Sequence, residues 1–148
     1  MTDYRYKVDA HWTQGRRGHV LGEGVTQDLD FSAPPEFQGE IGFWTPEHFF
    51  VAAVSSCFVA TFAAIAEMSK FEALDLEVSA TGTLAKGEGG FRFTDVEIHP
   101  VLTVAHERDR ERGMRLLEKA ERSCLVTRSL ATPVRMIPLV RAAETVAV

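Results

Sequence analysis

The sequence holds 148 residues, enough for one domain with a hydrophobic core of its own. Hydrophobic residues make up 45% and charged residues 25%, the balance of a globular chain rather than a disordered or fibrous one. A formal net charge of −5, with the basic residues dispersed, argues against nucleic-acid binding, because neutralising phosphates needs clustered cations.

In chain order, Tyr4, Tyr6 and Val8 alternate with Arg5 and Lys7, the period of a half-buried strand. Gly15-Arg16-Arg17-Gly18 reads as a turn, followed by a second strand around His19 to Leu21 and a third within residues 25–31. Pro34-Pro35 and Gly39 mark an irregular connection. Thr45-Pro46-Glu47 is a helix start: Thr caps free N–H groups, Pro fits the first helical position, and Glu suits the positive end of the dipole. That helix is predicted to run to about Lys70. Between Phe49 and Ala66 its only polar side chains are Ser55, Ser56 and Thr61, which approaches transmembrane length. Ala, Ser and Cys dilute its hydrophobicity, so it is predicted as a central helix buried on most sides, with no membrane partner. Residues 74–84 and 91–104 alternate around the turn Gly87-Glu88-Gly89-Gly90, a β-hairpin. His106 to Arg122 is an amphipathic surface helix, a short helical segment spans Cys124 to Leu130, and Val134 to Val140 is a last strand. The order predicts a single α+β domain over 1–148, with antiparallel sheets around a long central helix.

The N-terminal MTDYRYKVDAHW lacks the apolar run of a secretory signal, so a cytoplasmic location is expected. Two cysteines far apart in sequence, Cys57 and Cys124, suit neither a disulfide scaffold nor a CxxC site. In a reducing compartment a disulfide between them would be transient and catalytic. Cys57 sits mid-helix, too far from the helix start for the dipole to activate it, so a cation from outside the helix is expected to stabilise its thiolate. Cys124 follows Ser123, a possible cap, and is expected in the first turn of the short helix, where free N–H groups would lower its pKa.

The stretch TPEHFFVAAVSSCF resembles the central-helix motif of the OsmC/Ohr family (osmotically inducible protein C and organic hydroperoxide resistance protein). Pro46-Glu47, the run VAAVSS and Cys57-Phe58 stand at that family's spacing, and EKAERSC resembles its second cysteine motif. The resemblance implies an OsmC-like fold, an intertwined homodimer and a thiol peroxidase that reduces organic hydroperoxides. It implies Cys57 as the peroxidatic and Cys124 as the resolving residue, with an external dithiol, of lipoyl or another type, as reductant and no bound cofactor. It further implies an Arg against the thiolate, held by the Glu47 carboxylate; the first turn offers Arg16 and Arg17, and Arg16 fits the pattern better. Two departures stand out. Leu125 occupies a position where proline is common, and the loop SAPPEFQGE lacks the Arg that OsmC members place there.

Glu47 and Cys57 are ten residues apart, about 15 Å along one helix axis, so their side chains cannot meet within a straight helix. A long Arg or a second subunit would have to close that gap, which favours a two-fold dimer. Phe43, Trp44, Phe49, Phe50, Phe58 and Phe62 supply core and, beside the thiol, an apolar pocket suited to bulky hydroperoxides. The five histidines include no pair at metal-ligand spacing on a helix, so no metal is expected. The alternative function is an OsmC-like small-ligand-binding or structural module without efficient peroxidase activity.

Overall fold

The computed structural model describes residues 2–144, which form two compact units divided between Phe50 and Val51. In the first, β1 (Val8–Gln14), β2 (Arg17–Gly22) and β3 (Leu29–Ser32) make an antiparallel sheet in the order β1-β2-β3. Gln14 pairs with Arg17, so the turn is the two residues Gly15-Arg16, with Gly15 at φ 54°. The Tyr4–Val8 alternation does not become a strand. Pairing with β2 ends at Val8↔Gly22 and a last bond from Glu23 N–H to the Lys7 carbonyl, leaving Tyr6 92% exposed. The third strand likewise starts at Leu29 rather than Val25, where the β2 register first offers it a partner.

After β3 a single 3-10 turn, Pro35–Phe37, ends at Gln38 in the left-handed region. Gly39 then passes so close to the Ala33 carbonyl that a Cβ would lie 1.5 Å from its oxygen, so no side chain fits there. The buried Ser32 hydroxyl accepts the Glu40 N–H at 2.9 Å and fastens this loop to the sheet.

α1 (Pro46–Met68) starts where the sequence placed it. The Thr45 hydroxyl accepts the His48 N–H at 3.1 Å, while His48 Nδ1 accepts the Thr45 N–H at 3.2 Å, a reciprocal cap in which His replaces the usual Glu. Its end is a Schellman motif: Phe71 N–H bonds the Ala66 carbonyl, Lys70 N–H bonds the Glu67 carbonyl, and Lys70 has φ 52°. Lys70→Gly is therefore expected to stabilise the chain by up to about 1 kcal/mol, read as an upward shift of the urea midpoint. An unchanged or lower midpoint would show that Lys70 makes a compensating contact.

The second unit holds a mixed sheet. β4 (Ala73–Gly87) and β5 (Gly90–Val104) form the expected hairpin, with Gly89 at φ 89° in a two-residue turn that favours glycine. α2 (Arg110–Ser123) and α3 (Leu125–Arg128) follow. The single last strand expected over 134–140 is two, β6 (Val134–Met136) and β7 (Leu139–Ala142), because Pro138 has no N–H to continue the ladder. Both run parallel to β5, so the sheet is not wholly antiparallel. Alternate residues of β5 (Val96, Ile98, Leu102, Val104) join Phe58 and Phe62 of α1 and Leu117 and Ala120 of α2 in the core. Full burial of each larger side chain contributes roughly 1.5–3 kcal/mol.

One expectation fails here. α1 is not buried on most sides: Val54, Phe58, Phe62, Ile65 and Ala66 line a single covered face. Ala53, Val59, Ala60, Ala63 and Met68 remain exposed, so the apolar residues encircle the helix while the core covers only one side of it. By length and composition α1 is the one described helix able to cross a membrane.

Candidate active site

Within the second unit, Cys57 from the middle of α1 and Cys124 from the α2–α3 junction are hydrogen-bonded neighbours and both free thiols. Cys57 is half-buried, whereas Cys124 is only 1% exposed. Cys124 ends α2, its N–H bonded to the Ala120 carbonyl, and also precedes α3 with extended backbone at φ −62° and ψ 110°. This differs from the expected arrangement. Ser123 is the last residue of α2 rather than a cap, and Cys124 stands just outside the first turn of α3.

The electrostatics reverse the expectation for Cys124. Burial pushes the Cys57 thiol up, but bonds from the Cys124 thiol, the Val126 N–H, the Thr61 hydroxyl and the Leu125 N–H together pull it below its ordinary 9.0. Thr61 Oγ1 lies 3.8 Å from Cys57 Sγ, one helical turn further along α1. Burial and the neighbouring Cys57 hold Cys124 above 9.0, with the hydroxyl and N–H of Thr127 offsetting only part. The free N–H groups at the start of α3 are thus divided: those of Leu125 and Val126 serve Cys57, and that of Thr127 serves Cys124. The donors acting on Cys57 are a thiol, a hydroxyl and two backbone amides, none of them a cation. A pair of thiols with one favoured as thiolate and one held protonated is an ordered couple: the first loses its proton before the second.

The remaining predicted residues lie in the first unit. Arg16 donates to the Gln38 side chain at 3.4 Å. Arg17 lies 3.4 Å from the Glu40 carboxylate and 4.6 Å from the centre of the Phe43 ring. Glu47, in the first turn of α1, has one carboxylate oxygen buried with no hydrogen-bond partner. Neither arginine reaches Glu47 by an ion pair or hydrogen bond among the described residues. Phe49 of the same unit contacts Phe31 and stacks on Trp44 at 6.0 Å, so these rings pack together. No three His, Cys, Asp or Glu side chains among the described residues converge as metal ligands.

The OsmC-like protein family matches residues 38–137, which include both cysteines and Glu47. The chain belongs to the OsmC-like protein family. Among curated relatives of this OsmC-like chain, the uncharacterised YmaD of Bacillus subtilis (strain 168) is 25% identical over 133 residues, covering 88% of this chain and 89% of YmaD. Among solved structures, the organic hydroperoxide resistance protein OhrB of Bacillus subtilis is 26% identical with a TM-score of 0.67, covering 93% and 98% of the two chains. An OsmC-like protein of unknown function from Vibrio cholerae superposes with a TM-score of 0.81 at 21% identity, over 93% of this chain and all (100%) of that one, a likeness of fold. Both sheets and the long α1 therefore agree with an OsmC-like fold.

Thr61, Thr127 and the amides of Leu125 and Val126 went unread in the OsmC-like sequence. Thr61 carried a signal, since a residue four positions after a helical cysteine lies on the same face. Leu125 carried another: it supplies an N–H that proline lacks. That those amides turn toward Cys57 depends on the α2–α3 bend, which no local pattern encodes.

Proposed function

We propose that this OsmC-like protein is a thiol-dependent peroxidase that reduces organic hydroperoxides to alcohols. The observation that supports it best is the ordered pair of Cys57 and Cys124 in hydrogen-bond contact, with hydrogen-bond donors converging on Cys57. On this reading the Cys57 thiolate attacks the terminal oxygen of the hydroperoxide, the O–O bond breaks, and the alkoxide leaves as alcohol on taking a proton. The oxygen stays on sulfur as a sulfenic acid. Cys124 then attacks the Cys57 sulfur, an S–S bond forms, and the hydroxyl leaves as water. An external dithiol reduces this disulfide and returns both thiols.

The same reading takes the functional unit as a homodimer in the cytoplasm. The exposed apolar side of α1 and the face of β1 that carries Val8, Ala10 and Trp12 are surfaces a second copy would cover. Glu47, with its unpartnered buried oxygen, would meet its arginine, Arg16 on the family pattern, on assembly.

A second reading has its own observation. Arg16 and Arg17 are engaged with Gln38 and Glu40, and without a cation at the thiolate the chain would be a binding module with little peroxidase activity. Stopped-flow oxidation of the reduced protein by an alkyl hydroperoxide separates the two. Rapid loss of both thiols with a Cys57–Cys124 crosslink in the peptide map is expected. Thiols that survive excess hydroperoxide would leave the binding module standing.

A further inference from the structure

The first sheet carries a pair of imidazoles that the thiol chemistry leaves unused. His11 of β1 and His19 of β2 are directly opposite in the antiparallel register, and Cβ atoms so placed lie ~4.5–5.5 Å apart on one face. Their rings stack with centroids 5.5 Å apart and planes 13° from parallel. The other three histidines are occupied: His48 by Thr45, His99 by Glu97 and His106 by Glu144. Among the described residues, His11 and His19 have no hydrogen bond or ion pair, only each other. Their setting is acidic. The same register places Asp30 of β3 opposite His19, and Asp9 is two residues before His11 on the same face of β1.

We propose that His11 and His19 form a bidentate site for a divalent transition-metal ion of the nickel or copper type. Imidazole nitrogen suits these ions, which bind it more tightly than zinc or manganese by the usual affinity order. An ion bound at ~2.0–2.1 Å from each nitrogen holds two neighbouring donors roughly 3 Å apart. Side-chain rotation of the exposed His11 ring against the half-buried His19 ring, already 5.5 Å apart at their centres, closes to that separation without moving the strands. Water completes the coordination, since no third protein ligand converges among the described residues. Asp30 is the nearest carboxylate in register to hold such a water from outside. The two residues are eight apart in sequence, a spacing with no meaning on a helix; the hairpin alone makes them neighbours.

Isothermal titration of the reduced full-length protein with Ni2+ at pH 7.5 tests the site. One ion per chain is expected, with binding weakened by about tenfold or more in both His11→Gln and His19→Gln. A His99→Gln variant should bind as the parent does. Excess free imidazole should abolish binding to the parent, because it competes for the same positions on the ion. Undetectable binding to the parent, equal affinity in either histidine variant, or affinity unaffected by excess imidazole would each overturn the assignment. The last readout needs no variant, and so stands even if a substitution disturbs the hairpin.

Discussion

Cys57→Ser is expected to lower turnover of an alkyl hydroperoxide by roughly 10⁴-fold or more, since a serine hydroxyl at neutral pH offers almost no anion to attack the O–O bond. Cys124→Ser should behave differently. The serine keeps a donor beside Cys57, so the first oxidation should proceed at a rate close to that of the parent. Turnover should then fail, because the sulfenic acid has no thiol to condense with. With excess hydroperoxide, Cys57 should pass to the sulfinic state, visible as added oxygen in the intact mass. Equal loss of the first oxidation in both variants would show that the two sulfurs do not have the separate roles assigned to them. A Cys57→Ser protein with undiminished turnover would remove the mechanism altogether.

Alkylation of the parent protein by iodoacetamide, followed against pH, should show Cys57 reacting with a midpoint below 9.0 and Cys124 with one above it. The signs follow from what each sulfur touches. Donated hydrogen bonds outweigh burial at Cys57 and favour its anion, so its reactivity persists as pH falls below the ordinary thiol value. Stability is linked in the same direction: the contribution of ionised Cys57 is complete above 9.0 and is lost as pH falls through the lower folded value. Cys124 runs the other way, its contribution present below 9.0 and lost as pH rises through the higher folded value. Cys124→Ala and Thr61→Val each remove one donor, so alkylation of Cys57 at pH 7 should slow about threefold to tenfold. Leu125→Pro removes an amide without touching any side chain that ionises, and should act in the same sense. Rates unchanged across all three variants would mean that the thiolate is held by something other than these donors.

Local grammar carried much of this architecture. Thr45-Pro46-Glu47 placed the start of α1, and the Gly87–Gly90 turn placed the hairpin, because caps and tight turns depend on residues next to one another. Alternation at Tyr4–Val8 misled, because a strand exists only where a partner reaches it, and β2 ends opposite Val8. The split at Pro138 was written in the sequence but was read as part of one strand. At the site, both cysteines were legible from their motifs, but of the α3 amides only that of Thr127 acts on Cys124, while those of Leu125 and Val126 act on Cys57. Which sulfur a helix-start amide meets depends on the bend between α2 and α3, which nearness in sequence does not encode.

The parallel placement of β6 and β7 beside β5 has a consequence for how the chain is made. Glu97 of β5 and its partner Arg135 of β6 are 38 residues apart, with α2 and α3 between them. During synthesis the β4–β5 hairpin emerges whole while one side of β5 still shows its unpaired N–H and C=O groups. From Val96 to Val104 that side alternates buried side chains, the kind of edge on which nascent chains associate. β6 and β7 close it over Val96–Ile98 and Val101–Val104. Their pairing removes an open edge that would otherwise favour aggregation.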